Sequence, residues 1–184
     1  MNETDEAVYE RFLIKRSEDD LRVLLERHRD GLLLFINGFV HDLNDAEEIM
    51  LDSFAETAVG RSVFHGRSSF RTWLFSIGKR KALMHLRKTK RLAAAQDCEA
   101  RDDGEPPDLD ILKRERNAGL YSALEKINPE YRRILILLYF EQMTHEEAAR
   151  VMQKSRKQIY HLAERGKKAL RQALEGMGYE YEEY

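Results

Sequence analysis

The chain has 184 residues, of which 42% are hydrophobic and 35% charged, and its formal net charge is −2. This length allows one ordinary domain or two small ones with a packed core. The single cysteine, Cys98, excludes an internal disulfide, and no apolar run approaches the roughly 18–20 residues of a membrane span.

The N-terminal stretch MNETDEAVYER is acidic and lacks the apolar centre of a signal peptide, so we expect a cytoplasmic protein without membrane insertion. Ser17 followed by Asp20 resembles a capping box. The apolar residues that follow predict a helix that runs through Leu24, Phe35 and Phe39.

A strongly acidic helix is predicted next, with Asn44 as its N-cap. From His41 to Glu56 the sequence has six acids and no Lys or Arg. One face of this helix is apolar, and the other carries Asp45, Asp52 and further acids. Such a face repels phosphates and suits a basic or polar protein surface, although a solvated helix has the same composition.

The segment FHGRSS is predicted to be a loop, and the helix after it is rich in aromatic and basic residues. From Lys79 to Arg91 it has seven bases and no acid. Basic residues beside aromatics suit single-stranded or melted nucleic acid. Phe70 and Trp73 share a helical face with Leu74, which favours a place in the core. The basic stripe is therefore the better candidate for contact with nucleic acid.

The stretch from Gln96 to Asp110 has no apolar periodicity, seven acids against one base, and a Pro-Pro pair. It is typical of an extended linker. The sequence therefore predicts an all-α protein with two small helical domains, residues 1–95 and 111–184, joined by an acidic flexible linker, residues 96–110.

Short helices are predicted in the second domain. The first covers Leu109 to Ile127, and Asn128 caps the next, with proline at its first position. Thr144 opens the capping box THEE of a short helix that ends at Met152. After a turn, Ser155 caps the final helix.

Two short helices joined by a tight turn, the second basic at its start, are typical of a helix-turn-helix. One face of the final helix packs inward: Ile159, Leu162, Ala163 and Gly166. Long polar side chains point outward over its first turns and suit base edges in a major groove: Arg156, Lys157, Tyr160, His161 and Glu164. Bases further along suit phosphates: Arg165, Lys167, Lys168 and Arg171. A solvated amphipathic helix in any bundle is the alternative.

No catalytic or metal-binding pattern is visible. HEEAA, which begins at His145, lacks the second histidine of a zinc-binding HExxH helix, because Ala149 stands there. The sequence contains no Gly-rich phosphate loop and no nucleophile with a base beside it. We therefore expect no enzymatic activity, no metal and no cofactor.

Taken in order, these features resemble a bacterial sigma factor of the sigma-70 superfamily, in its extracytoplasmic-function (ECF) group. DAEEIMLDSF stands where the group has its DAED…F motif. FHGRSSFRTWLFSIGKRKALMHLR matches the signature of region 2, and INPEYRRILILLYFEQMTHEEAARVM with the final helix matches region 4. The resemblance covers roughly Leu21 to Leu174.

The resemblance implies three binding surfaces. The surface that docks on RNA polymerase would comprise Asp45, Glu47, Glu48, Leu51, Asp52 and Phe54. The −10 promoter element would be captured by the loop Gly60 to Ser69 and the basic helix, with Arg67, Arg71, Lys79, Arg80, His85, Arg87 and Lys88. The −35 element would be read as duplex by Arg156, Lys157, Gln158, Tyr160, His161, Arg165 and Lys168.

The implied partners are core RNA polymerase (the clamp helices of its largest subunit and its flap region), promoter DNA and an anti-sigma factor. The sequence departs from the group pattern at several positions. Leu51 replaces a common Gln, Ala58 a Trp, Arg80 an Asn and Met84 an Asp, and Gln153 takes a turn position that is often Gly. The Arg80 change falls on the −10 surface.

Two other interpretations remain open at this stage. A stand-alone helix-turn-helix regulator would dimerise and bind a palindrome without polymerase, but it would need neither the acidic helix nor the aromatic-basic helix. A helical interaction adaptor with an incidental helix-turn-helix would keep its activity when Arg156 and Lys157 were replaced by alanine.

Overall fold

The computed structural model describes residues 3–95 and 115–179, and every regular element in these two ranges is helical. The chain divides into two compact units, Met1–Pro107 and Asp108–Tyr184. The prediction of an all-α protein with two helical domains is confirmed. The predicted linker, residues 96–110, lies outside the described residues.

The described part of the first unit contains four helices: α1 (Asp5–Lys15), α2 (Glu18–Val40), α3 (Leu43–Ala58) and α4 (Phe70–Ala95). The long helix α2 packs against the other three. Residues 31–38 of α2 are all buried, so this stretch is enclosed on every side. A helix that is apolar all round is stable only where neighbours cover each of its faces.

Helix α4 approaches α2 closely at a glycine. A Cβ placed on Gly78 would lie 2.8 Å from Cδ1 of Leu32 and 3.3 Å from Cδ1 of Ile36. Both of these side chains are fully buried. The absence of a side chain at Gly78 therefore sets how near the two helices can lie.

The start of the chain differs from the prediction. Helix α1, which the sequence analysis did not predict, is capped by Thr4, whose Oγ1 accepts a hydrogen bond from Ala7 N at 3.3 Å. The predicted Ser17–Asp20 capping box is wrong, because the Ser17 side chain makes no capping hydrogen bond. Asp20 is buried and instead accepts a hydrogen bond from Nε of Arg11 at 2.8 Å.

The cap of α3 also differs. Asp42 is the N-cap, and its Oδ1 accepts a hydrogen bond from Asp45 N at 2.8 Å. Asn44, the predicted cap, lies inside the first turn and is exposed. The two residues are equally good caps by type, so side-chain chemistry alone could not separate them.

An aromatic cluster joins α1, the 59–69 loop and α4. The Tyr9 ring lies 4.9 Å from that of Phe70 and 5.5 Å from that of Trp73, and the Phe64 ring lies 5.2 Å from Trp73. The Tyr9 hydroxyl donates a hydrogen bond to the carbonyl of Thr57 at 3.0 Å. Phe70 is fully buried and Trp73 half-buried, so these aromatics pack inside the unit as predicted.

The described part of the second unit contains α5 (Glu115–Lys126), α6 (Pro129–Leu135), α7 (His145–Met152) and α8 (Arg156–Glu175). Helix α6 continues into a π-helical turn, Ile136–Phe140. The predicted helix from Leu109 is described only from Glu115 onward. Asn128 caps α6 as predicted, accepting a hydrogen bond from Glu130 N at 2.8 Å.

The core of the second unit lies between α6 and α8. Ile134 and Leu137 are fully buried, as is Ile159 on α8. Gly166 allows close packing here, since a Cβ on it would lie 3.3 Å from both Tyr131 and Leu135. The inner face of α8 is thereby fixed, and the opposite face is left to solvent.

Candidate functional site

The acidic helix α3 exposes a narrow ridge. Glu48, Leu51 and Asp52 lie on it, and Leu51 is 51% exposed although it is apolar. Asp45 and Glu47 are less exposed than the residues of the ridge, because they pair with residues of neighbouring helices. Oδ2 of Asp45 lies 3.0 Å from Nε2 of His85, and Oε1 of Glu47 lies 3.3 Å from Nη2 of Arg29.

Phe54 does not lie on this ridge. It is 4% exposed and belongs to the core of the first unit. The resemblance placed it on the docking surface, but it lies on the buried face of α3 with Ile49, Met50 and Ser53. We therefore remove Phe54 from the candidate surface and assign it a packing role beneath the ridge.

The basic helix α4 is divided into two halves by its contacts. In the first half, Arg80 and Lys81 both pair with Glu56 of α3, and His85 pairs with Asp45. Lys81 Nζ also lies 3.7 Å from Asp52 Oδ2. The acids of α3 and the bases of α4 are therefore partly neutralised by one another.

The second half of α4 presents exposed bases: Arg87, Lys88, Lys90 and Arg91. None of them forms an ion pair within residues 3–95 and 115–179. Lys79 is only 9% exposed, so we remove it from the candidate contacts. Arg67 in the loop is exposed and Arg71 is half-buried.

Glu56 was not among the predicted site residues, yet it is the centre of a hydrogen-bonded cluster. Its Oε1 accepts from the Ser62 hydroxyl and from the Arg80 guanidinium, and its Oε2 lies 3.3 Å from Lys81 Nζ. Burial alone would raise the pKa of Glu56, but hydrogen bonds from Ser62, Arg80 and Lys81 outweigh it and lower that pKa. The carboxylate is therefore held in its charged form.

The helix-turn-helix is formed by α7, a short turn and α8. The capping box predicted at Thr144 is present, since Glu147 N donates to Thr144 Oγ1 at 3.2 Å. Ser155 caps α8 as predicted, with Gln158 N donating to its Oγ at 3.2 Å, and the side chain of Gln158 completes a second capping box. Gln153, which takes a turn position that is often Gly, closes α7 at φ 57° in the left-handed conformation.

The outer face of α8 carries the predicted −35 residues. All of them are exposed: Arg156, Lys157, Gln158, Tyr160, His161, Arg165 and Lys168. Ile159 is fully buried and Ala163 is 1% exposed, so the predicted inward face is confirmed. Within the described residues, the bases Arg156, Lys157, Arg165 and Lys168 form no ion pair with an acid of the chain.

Two details of α8 refine this surface. The side-chain oxygen of Gln158 accepts a hydrogen bond from Ser155 N at 2.8 Å, which leaves its amide nitrogen to donate to a ligand. The Tyr160 ring lies 6.0 Å from that of His145, at the start of α7. His145 was not predicted as a neighbour of this surface, because only the packing of α7 on α8 brings it there.

The sequence matches two family descriptions. Residues 24–92 match "Sigma-70 region 2" and residues 118–170 match "Sigma-70, region 4". RNA polymerase sigma-H factor of Pseudomonas aeruginosa is 30% identical over 165 residues, which are 82% of this chain and 83% of that protein. The chain belongs to the sigma-70 family. ECF RNA polymerase sigma factor SigX of Bacillus subtilis is 26% identical, over 86% of this chain and 85% of the relative, which supports the ECF group.

Solved sigma-factor structures share the fold. CnrH, in complex with the cytosolic domain of CnrY, aligns with a TM-score of 0.62 and 22% identity over 95% of this chain and 99% of that one. RpoE of Bartonella quintana, in complex with the anti-sigma factor NepR, aligns with a TM-score of 0.63 and 19% identity over 85% and 97%. Sigma factors are transcription initiation factors without enzymatic activity, so this chain is not an enzyme.

Residues 3–95 and 115–179 of this sigma factor contain no group of three or more His, Cys, Asp or Glu side chains placed to hold a metal ion. None of their helices combines the length and apolarity that crossing a bilayer requires.

Proposed function

We propose that this ECF sigma factor recruits core RNA polymerase through the ridge of α3 and directs initiation at promoters through two DNA surfaces. The α4 surface and the adjoining loop, with Arg67, Arg71, Arg80, His85, Arg87 and Lys88, engage the −10 element. The outer face of α8 reads the −35 element as duplex. Residues 96–110 serve as the linker between the two domains.

The observation that carries this proposal is the outer face of α8. Its inner face is fully engaged in the core, while Arg156 and Lys157 project from the first turn, exposed and without an acidic partner among the described residues. Exposed donors at the start of the second helix of a helix-turn-helix suit base edges in the major groove. Arg165 and Lys168, further along, suit phosphates.

The ridge of α3 supports the polymerase contact. Leu51 stands between Glu48 and Asp52, which gives an apolar centre with charged neighbours, a composition that suits a protein partner better than DNA. Like charge would keep phosphates away from this ridge. We propose core RNA polymerase, through its clamp helices and flap region, as the partner, and the cytoplasm as the place of action.

Two related structures, CnrH with the cytosolic domain of CnrY and RpoE with NepR, are complexes, the second with an anti-sigma factor. We extend this to the present chain as a proposal: an anti-sigma factor holds it inactive by covering part of the surfaces described above. A stand-alone regulator that binds a palindrome is not favoured, because residues 24–92 match sigma-70 region 2, which such a regulator does not need.

Run-off transcription with purified core polymerase and a pool of genomic promoters tests the proposal. We expect specific transcripts that appear only when this protein is added. Arg156→Ala should relax base preference at one −35 position by roughly 1–3 kcal/mol, whereas Lys168→Ala should weaken all promoters about equally. Arg22→Ala, which removes an exposed arginine of α2, is the matched control and should change neither. Absence of protein-dependent transcripts would contradict the proposal.

A further inference from the structure

The Glu56 cluster links the two parts of the proposed −10 surface. Glu56 lies at the last turn of α3, Ser62 lies in the loop, and Arg80 lies on α4. We propose that Arg80, held in place by Glu56, determines specificity at one position of the −10 element by binding an unpaired guanine. This inference rests on the proposed function and deepens it for one of its surfaces.

The arginine is both accessible and fixed. Its side chain is 51% exposed, whereas that of Glu56 is 11% exposed. Nη2 of Arg80 donates to Glu56, and a guanidinium carries five N–H donors, so donors remain on the side that faces solvent. One edge of the planar Arg80 guanidinium is therefore free to bind a ligand. The hydrogen bond to Glu56 on the other edge sets its direction.

Glu56 is itself prevented from moving. Ser62 donates to the same oxygen that receives Arg80, and Lys81 holds the second oxygen at 3.3 Å. Because these two partners fix the carboxylate, much of the rotamer freedom of Arg80 is lost before DNA arrives. Glu56 is thus a positioning residue, which acts on DNA only through Arg80.

The chemistry of the free edge favours guanine. Guanine presents two acceptors, N7 and O6, at a spacing that matches the guanidinium fork, whereas adenine presents one acceptor and one donor. Unpaired bases can offer this edge directly to a side chain. In the resembled group an Asn is usual at the position of Arg80, and an Asn amide matches adenine instead. Arginine at position 80 therefore favours guanine, whereas the usual asparagine would favour adenine.

A phosphate is a poorer ligand for this arginine. The charge of Glu56 lies directly beside the guanidinium and would repel a second anion. Arg87 and Lys88 lie about two turns further along α4, are exposed and form no ion pair among the described residues. They are the better phosphate contacts, which leaves Arg80 for a neutral base.

The test uses full-length protein with core polymerase and a promoter library that has a fixed −35 element and a randomised −10 element. Transcripts are sequenced, and base preference is scored at each position. We expect the wild type to enrich guanine at one position. Arg80→Lys, which keeps the charge but loses the fork, should lower that enrichment about tenfold. Arg80→Asn should move the preference at that position toward adenine.

Glu56→Gln should weaken guanine enrichment at the same position and leave other positions unchanged, which a general loss of structure would not do. Arg22→Ala is the control for removal of an exposed arginine, and thermal midpoints report folding. If Glu56→Gln unfolds the protein, the Arg80→Lys variant alone tests the inference, because the Arg80 side chain lies at the surface.

The outcomes separate the two proposals. Wild-type transcripts with no guanine preference, or variants that weaken every −10 sequence equally, would overturn the inference and leave the proposed function intact. The second of these results would make Arg80 a phosphate contact. If the wild type gives no specific transcripts at all, the proposed function fails, and the inference fails with it.

Discussion

Asp5 lies at the start of α1 and joins this helix to α2. Its Oδ2 lies 2.7 Å from Nε2 of His28, which is 4% exposed, and its Oδ1 lies 2.8 Å from Nη1 of Arg27. Burial raises the pKa of Asp5, but the hydrogen bonds from His28 and Arg27 outweigh it, and the pKa falls to about 2. The charged carboxylate therefore stabilises the folded state.

This shift makes the stability of the first unit depend on pH. The contribution of Asp5 is fully present above its unfolded pKa of 3.8 and is lost as the pH falls from there toward about 2. We expect Asp5→Asn to lower the free energy of unfolding by about 2 kcal/mol at pH 7 and by much less near pH 2. Urea titrations followed by fluorescence of Trp73, the one tryptophan, measure both.

The control for this prediction is Asp19→Asn, since the Asp19 side chain is 85% exposed and only 3.6 Å from an exposed arginine. An exposed ion pair contributes little, so this variant should unfold like the wild type. A difference between Asp5→Asn and the wild type that stays constant from pH 7 to pH 2 would show that the ion pair is not its source.

Gln153 carries a backbone conformation that costs a residue with a side chain about 1 kcal/mol or more. Glycine adopts this conformation freely, so we expect Gln153→Gly to stabilise the helix-turn-helix by about 1 kcal/mol. Amide hydrogen exchange of α7 and α8 measures the change. Gln172→Gly, in the exposed face of α8, should destabilise the same unit by about 1 kcal/mol. Faster exchange in both variants would contradict the prediction.

At the scale of the helix, the side chains of α3 have different roles according to how exposed they are. Phe54 packs below, Asp45 and Glu47 pair with neighbouring helices, and Leu51 stands exposed with its acidic neighbours. Only the exposed ridge can bind a partner without unfolding the unit. An apolar side chain at the centre of such a ridge contributes most when a partner covers it.

We therefore expect Leu51→Ala to weaken binding to core polymerase by about 1–2 kcal/mol, or roughly tenfold in Kd. Affinity measured by fluorescence anisotropy of labelled protein tests this. Ile14→Ala is matched in chemistry, since Ile14 is 76% exposed at the end of α1, and it should bind as tightly as the wild type. Equal loss in both variants would point to a non-specific apolar effect.

The sequence predicted elements with strong local signals. The capping box at Thr144, the cap at Ser155 and the inward face of α8 are confirmed, because each depends on residues three or four apart along the chain. The sites of charge pairing could not be predicted in this way. Arg80 and Glu56 are 24 residues apart and meet only when α3 and α4 pack together.

The errors have related causes. Arg11, nine residues away in sequence, donates a hydrogen bond to Asp20, and this tertiary contact replaces the local capping pattern. Helix α1 was missed because its three buried residues, Val8, Tyr9 and Phe12, are few among charged neighbours. Phe54 was misplaced because a family motif states which residues recur and does not say which way they face.

At the scale of the whole molecule, charge is sorted only in part. The exposed bases on the second half of α4, and the first-turn bases Arg156 and Lys157 of α8, have no acidic partner among the described residues, whereas Arg80 and Lys81 on the first half of α4 pair with Glu56 of α3. The formal net charge of the chain remains −2. Long-range attraction to DNA is therefore weak, and binding depends on local contacts.

This balance predicts that the isolated protein binds promoter duplex weakly. We expect a Kd above about 1 µM at physiological salt, which is the range of non-specific binding, and a large gain in affinity and sequence preference when core polymerase is added. Gel shifts with a promoter duplex and a scrambled duplex, each with and without core, measure the gain. Nanomolar, sequence-specific binding by the free chain would contradict the prediction and favour a stand-alone regulator.

The missing side chain of Gly78 has an effect at a distance from its own position. Leu32 and Ile36 would have to give way to a methyl group there, and neither has room to do so without moving α4 relative to α2. Arg80 follows only two residues later on α4, so the guanidinium would move with the backbone. A genetic screen for altered promoter choice should therefore yield alleles at this buried glycine, although no nucleotide touches it.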